Sequence, residues 1–323
     1  MSQFLDLINL VAPFFGLIGL GILAAKFASV PASGLAWMQV FLLYLALPCL
    51  FFRLLANTPI AEIANWRFIA ATTLATAGAF AVGFVVMRAG SRRLPDATIG
   101  AVSASYSNIG YMGPPLVAAF LGPVASAPVA LIFVFDTLFL FTVVPTLMAL
   151  AGVERRSPLQ ATFGVLRRVL LHPFLLATAA GLLASVFKVR PPVAAATIID
   201  WLAGASAPCA LFTLGVSVAL QPVGRVGASV GMLVTTKLLL HPALVWLLLS
   251  GLGGADAVWV QAAIIMAALP PALNIFVLAS QYRAGVEGAA ACVLVGTIVS
   301  MATLTGLLWL LRTGAIPPLL FGN

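Results

Sequence analysis

Apolar residues run in long unbroken blocks along this chain, and polar residues gather in the short links between them. The blocks fall at 4–25, 33–54, 67–89, 98–121, 124–151, 167–189, 193–220, 227–250, 258–282 and 287–311. Each reaches the roughly 20 residues that a helix needs to cross a bilayer. An isolated strand leaves its backbone unsatisfied in lipid, so the blocks predict ten transmembrane helices. The links are rich in Gly, Pro and charge, and none is long enough to form a soluble domain. The longest, residues 152–166, carries Glu154, Arg155, Arg156 and Pro158.

The blocks repeat. Pro13-Phe14 recurs as Pro173-Phe174, Gly21 as Gly181, Pro31 as Pro191 and Pro48-Cys49 as Pro208-Cys209, all at an offset of 160. Pro114-Pro115 recurs as Pro270-Pro271 at an offset of 156. Chance likeness between apolar helices produces Leu and Ala matches, but an ordered run of Pro, Gly, Phe and Cys matches is harder to reach that way. The predicted organisation is a first five-helix repeat (1–151), a cytoplasmic linker (152–166) and a second repeat (167–323). Five is an odd number, so the second copy enters from the opposite side and lies inverted. Inverted repeats with broken helices near the midplane are the architecture of secondary transporters.

Composition narrows the class. Of 323 residues, 63% are hydrophobic and 7% charged, more apolar surface than a soluble core of this size hides. The net charge of +8 does not indicate nucleic-acid binding, because the basic residues sit mostly at the ends of the apolar blocks. Links after odd-numbered blocks hold ten of them: Lys26, Arg88, Arg92, Arg93, Arg155, Arg156, Arg167, Arg168, Arg225 and Arg283. The other side holds five: Arg53, Arg67, Lys188, Arg190 and Arg312. The positive-inside rule then places the first set in the cytoplasm and both termini outside it. The segment MSQFLDLINL has no basic region before its apolar stretch, so it reads as a first span rather than a cleaved signal peptide. The three cysteines lie inside apolar blocks and imply no disulfide framework.

Two blocks are interrupted at corresponding points. Block four reads SASYSNIGYMGPPLVAAFLG and block nine QAAIIMAALPPALNIFVLAS. A doubled proline deletes amide donors and disfavours helix just upstream. Breaks are therefore expected at residues 110–115 and 269–274. Each creates a helix N-terminus, which favours an anion, and a C-terminal end, which favours a cation or a donor. The candidate substrate-binding residues are Ser107, Asn108, Gly110, Tyr111, Pro114, Pro115, Pro270, Pro271 and Asn274, with Ser105 close by. The plainer alternative is a pair of proline kinks inside a bundle, with the two asparagines satisfying them.

Pro48, Cys49, Pro208 and Cys209 form a second matched pair, read either as hinge or cavity-lining positions or as simple helix curvature. Asp136 and Lys237 lie within blocks five and eight. Intramembrane ionisable groups usually face a cavity or a partner, and acidic ones serve in proton relays. Asp136 is thus a candidate proton carrier and Lys237 a candidate for drawing in an anion. The alternative is a structural Asp136–Lys237 pair. His172 and His241 each precede a proline and read more readily as structural or interfacial groups, with His172 kept as a coupling candidate.

The stretches SNIGYMGPPL, KLLLHPALV and LPPALNIFVLA resemble the auxin efflux carrier family, which includes bacterial permeases and malonate transporters, and the resemblance covers essentially the whole chain. It implies a fold similar to bile acid:sodium symporters. A scaffold would be built from spans 1, 2, 6 and 7, and a transport domain from spans 3–5 and 8–10 would move like an elevator. Asn108 and the two double-proline breaks would line the site. Gln261 is the only strongly polar residue in its half-helix, where those symporters carry an acid for sodium. Coupling, where present, is therefore expected to involve protons rather than sodium. The expected function is alternating-access transport of a small organic anion, a short dicarboxylate such as malonate being the first guess. The alternative is a sodium-coupled symporter of a larger hydrophobic or steroid-like acid. No cofactor or metal is expected, the sequence offers no catalytic cluster, and any homodimer would pair scaffold helices.

Overall fold

The computed structural model describes residues 2–28, 34–56, 58, 65–90, 92–153, 171, 173–220, 226–253 and 255–320. His172, Pro31, Arg225 and most of the 152–166 link lie outside these residues. The described chain is all-helical. Its twelve helices are α1 (Ser2–Phe27), α2 (Gly34–Ala56), α3 (Trp66–Ala89), α4 (Leu94–Ser105), α5 (Gly113–Leu121), α6 (Ser126–Leu150), α7 (Pro173–Phe187), α8 (Val193–Leu220), α9 (Ala228–Leu252), α10 (Ala257–Ala268), α11 (Asn274–Tyr282) and α12 (Val286–Arg312). Six of these, α2, α3, α6 (with its 3-10 lead-in from Pro123), α8, α9 and α12, are long and apolar enough to cross a membrane.

The helices form two compact units. The first comprises Met1–Asn65, Gly110–Leu131 and Leu170–Leu220. It is held together where glycines let backbones meet. Gly21 of α1 lies against the Phe212 carbonyl of α8, and Gly181 of α7 lies against the Phe52 carbonyl of α2. A methyl group at either position would collide with main chain, which cannot swing aside. Membrane helices commonly use small residues for such close approach, since hydrocarbon offers no hydrophobic drive to join them.

The second unit comprises Trp66–Ile109, Ile132–Val169 and Gln221–Asn323. Here α3 is clasped by edge-to-face aromatic pairs: Phe68 with Trp259 of α10 (4.8 Å between centroids), and Phe80 with Phe139 of α6 (6.1 Å). Ala104, Val230, Leu233, Val234, Leu238, Ala291 and Cys292 pack together between α4, α9 and α12. The turn before α12 is tied back to α4, the Gly285 amide donating to Asp96 Oδ1 at 2.8 Å.

Prolines shape two of the long helices in a way their spacing does not announce. Pro48 has no amide to return to the preceding turn. Leu47 instead donates to the Leu42 carbonyl five residues back, and Leu42–Ala46 forms a π-helical turn. The same device precedes Pro242, where His241 donates to the Thr236 carbonyl across Thr236–Leu240. Pro208 produces no such turn, and α8 runs through it unbroken. Pro48 is buried whereas Pro208 is exposed; Cys49 and Cys209 are both half-buried. The sequence pairs Pro48 with Pro208, but the local backbone pairs Pro48 with Pro242.

Candidate functional site

Both expected interruptions are present, in different forms. The second spans Leu269–Leu273, with Pro270 and Pro271 inside it and Asn274 opening α11, as the double proline predicts. The first begins earlier than its prolines suggest. The helix ends at Ser105, residues 106–112 are non-helical, and Pro114 and Pro115 sit in the first turn of α5. That turn is where proline is tolerated, because its missing N–H would have had no intrahelical acceptor. The break expected at 110–115 is therefore displaced to 106–112. Ser107 and Asn108 then lie within the extended stretch rather than on the helix before it.

The two extended stretches pair with each other. Asn108 N donates to the Pro270 carbonyl at 2.9 Å, and Ala272 N donates to the Tyr106 carbonyl at 3.0 Å. Ser107 thus faces Pro271 in an antiparallel bridge. In an apolar interior each unpaired backbone group costs several kcal/mol, and the adjoining helices satisfy only the ends of the two stretches, through Tyr106 N on the Val102 carbonyl and Ile275 N on the Ala272 carbonyl. Each break satisfies the other. Gly296 of α12 closes against the bridge from one side, and a methyl there would overlap the Pro271 ring.

Two kinds of polar group converge on this bridge. Asn108 is 2% exposed, and its Nδ2 has no hydrogen-bond partner. A buried amide donor without a partner is uncommon and costly, and it is suited to receive an acceptor from outside the protein. Tyr106 is buried beside Asn274. Gly110, Tyr111, Pro114 and Pro115 continue the chain into the first unit, Tyr111 and Pro114 being buried there.

The second group is a chain of side chains behind the bridge. Lys237 is fully buried, and its Nζ donates to the Ala267 carbonyl in the last turn of α10. The Ser107 hydroxyl reaches the same carbonyl at 3.4 Å. Lys237 Nζ lies 3.3 Å from His241 Nδ1, one turn along α9. His241 Nε2 lies 3.1 Å from Thr76 Oγ1. The Thr76 hydroxyl donates to the Asp136 carboxylate, 3.0 Å from both oxygens. Asp136, Thr76 and His241 are each at most 4% exposed. Asp136 and Lys237 therefore do not meet directly. They are joined by Thr76, which the sequence does not single out, and by His241, which it presents as a structural or interfacial group. The i, i+4 spacing of Lys237 and His241 is the signal that places them on one helix face. Nothing in the sequence links α3 to them.

The arrangement offers an orphaned donor, two helix ends, one carboxyl and one amino group, with Asn108, Asp136 and Lys237 all buried. Among the described residues no three His, Cys, Asp or Glu side chains gather as a metal site would need. The sequence matches the family described as membrane transport protein over residues 6–308. A protein of Rhizobium meliloti (strain 1021) named "Putative malonate transporter" is 45% identical over 321 residues, spanning 98% of this chain and 99% of that one.

Proposed function

We propose a carrier function from one premise: this chain belongs to the membrane transport protein family, the auxin efflux carrier family that its motifs resemble. It is a multi-pass membrane transporter and not an enzyme. Within that class the proposed substrate is a small organic anion, and a short dicarboxylate is favoured because the Rhizobium relative bears the name of a malonate transporter. The observation that carries the reading is the unpartnered Nδ2 of Asn108 beside two mutually paired helix breaks. A carboxylate is an acceptor without donors, so it complements that amide and the free N–H groups of a helix N-terminus. Asn274, at the start of α11, would fix its orientation.

The proposed architecture is ten spans in two inverted repeats, working by elevator-type alternating access. The glycine contacts support the repeat. Gly21 and Gly181 are 160 residues apart, and so are their contacts Phe212 and Phe52. An exchange of equivalent partners of this kind is what an internal two-fold produces. Spans 1, 2, 6 and 7 would serve as scaffold, also offering the surface for any homodimer, and the remaining spans would carry the substrate. We place the protein in the inner membrane with both termini outside the cytoplasm, on the distribution of basic residues. Proton coupling through Asp136 is proposed over sodium coupling.

Counterflow of labelled malonate into liposomes tests the substrate. Saturable exchange is expected for the wild type, with its loss in Asn108→Ala that still unfolds cooperatively. A well-folded Asn108→Ala variant transporting normally would sink the assignment. Asp136→Asn is expected to flatten the pH profile of exchange, and an unchanged profile would remove Asp136 as carrier.

A further inference from the structure

Lys237 and Asp136 occupy the two ends of an unbroken hydrogen-bonded path whose middle members, His241 and Thr76, can each both give and take a proton. An ammonium group only donates. With Lys237 charged, His241 Nδ1 must accept from it, so the ring proton sits on Nε2 and is donated to Thr76 Oγ1. The Thr76 hydroxyl proton then points at the carboxylate. Every donor in the chain faces the same way. Now reverse each one. A neutral Lys237 amine accepts from Nδ1–H, Nε2 accepts from the Thr76 hydroxyl, and Thr76 accepts from a protonated Asp136. Every contact is again satisfied, and no heavy atom has moved.

We propose that Thr76 and His241 are relay residues that pass one proton between Lys237 and Asp136. The step balances as follows. A Lys237 N–H bond breaks as an N–H bond forms at His241 Nδ1. The Nε2–H bond breaks as an O–H bond forms at Thr76, and the former Thr76 O–H bond breaks as one forms at Asp136. One proton is transferred in total. An ammonium and a carboxylate become an amine and a carboxylic acid, and nothing is oxidised or reduced.

The relay ends on the helix break. Lys237 Nζ holds the Ala267 carbonyl in the last turn of α10, two residues before the interruption at Leu269. An ammonium holds a helix C-terminal carbonyl more strongly than an amine, through both its charge-assisted bond and the helix dipole. Moving the proton to Asp136 therefore loosens the grip on α10 at the bridge that pairs Ser107 with Pro271. The sites of proton binding and of the break are thus joined through identified bonds. Among the described residues, Tyr106 is the further ionisable group beside Asp136, and it also bonds Asn274 and Thr137; Cys292 of α12 bonds Ser103. The α10 helix contributes no ionisable side chain.

This inference deepens the proposed proton coupling and rests on it only for its use in transport, because the test needs no substrate. Purified full-length protein is subjected to a pH jump while the carboxylic-acid C=O stretch is followed by time-resolved infrared spectroscopy, the Asp136 band being assigned by its absence in Asp136→Asn. Thr76→Val, which keeps the shape and deletes the hydroxyl, is expected to slow the rise of that band by about tenfold or more. Thr76→Ser, which restores the hydroxyl, is expected to recover the wild-type rate. A Thr76→Val rate equal to wild type, a Thr76→Ser rate as slow as Thr76→Val, or the lack of any Asp136 band would each overturn the relay. Should Thr76→Val not fold, His241→Gln is held to the same criterion. Failure of malonate exchange with an intact Thr76 effect would count against the substrate and leave the relay standing.

Discussion

The two helix interruptions are built from the same sequence device and do opposite things with it. At residues 106–112 the prolines stand downstream in the next helix, and the extended stretch carries Ser107 and the unpartnered amide of Asn108. At Leu269–Leu273 the prolines occupy the interruption itself, the stretch is otherwise apolar, and the adjoining helix end is already held by Lys237. One break presents an open donor, and the other presents an acceptor that the protein has satisfied with its own cation. Their backbones are equivalent, since each gives one N–H and takes one through its carbonyl. The difference between an open donor and a satisfied acceptor therefore resides in the side chains around a symmetric main-chain bridge.

The comparison breaks most strongly at the charged end. Asp136→Ala leaves Lys237 buried without its counter-charge and is expected to cost about 3–5 kcal/mol, read from denaturant or thermal unfolding in detergent. Adding Lys237→Met should recover more than half of that loss, because two charges are then removed together. A double variant no more stable than the single one would show that the path between them carries no electrostatic stabilisation. Next comes the contact that closes the second break. Gly296→Ala pushes a methyl into the Pro271 ring and should cost about 1–3 kcal/mol. At the first break the expectation is nearly flat. Asn108→Ala should change stability by no more than about 1 kcal/mol, since the donor it deletes has no partner to lose. A large loss there would mean that Asn108 is a structural brace. Smallest is Gly288→Ala on α12, where a methyl meets nothing within 4 Å. It should stabilise by about 0.5–1 kcal/mol through helix propensity alone, and thereby shows that the Gly296 effect is local.

Much of this was legible beforehand. Helix-length apolar blocks, the two interruptions, Asn108 and Asn274, and the ionisable pair Asp136 and Lys237 all stand out of an apolar background, where any polar residue or doubled proline is conspicuous. The displacement of the first break from 110–115 to 106–112 has a physical cause. Proline marks where an amide is missing but leaves open which neighbour compensates. At Pro114 the helix begins around it, at Pro48 a π turn absorbs it, and at Pro208 the helix continues through it. His241 and Thr76 were not legible as partners because one is a histidine before a proline and the other one threonine among many on apolar helices.

By itself, then, the sequence determined that this chain is helical and membrane-spanning, and that two of its helices are interrupted. Those properties follow from local facts: run length, missing amides and the need to satisfy every backbone group in hydrocarbon. Only the tertiary structure decided that the interruptions satisfy each other, and that Lys237 reaches α10. It also decided that Thr76 and His241 stand between two charges a hundred residues apart in sequence. A hydrogen bond between distant segments depends on where folding places both of them, and no spacing along the chain encodes that placement.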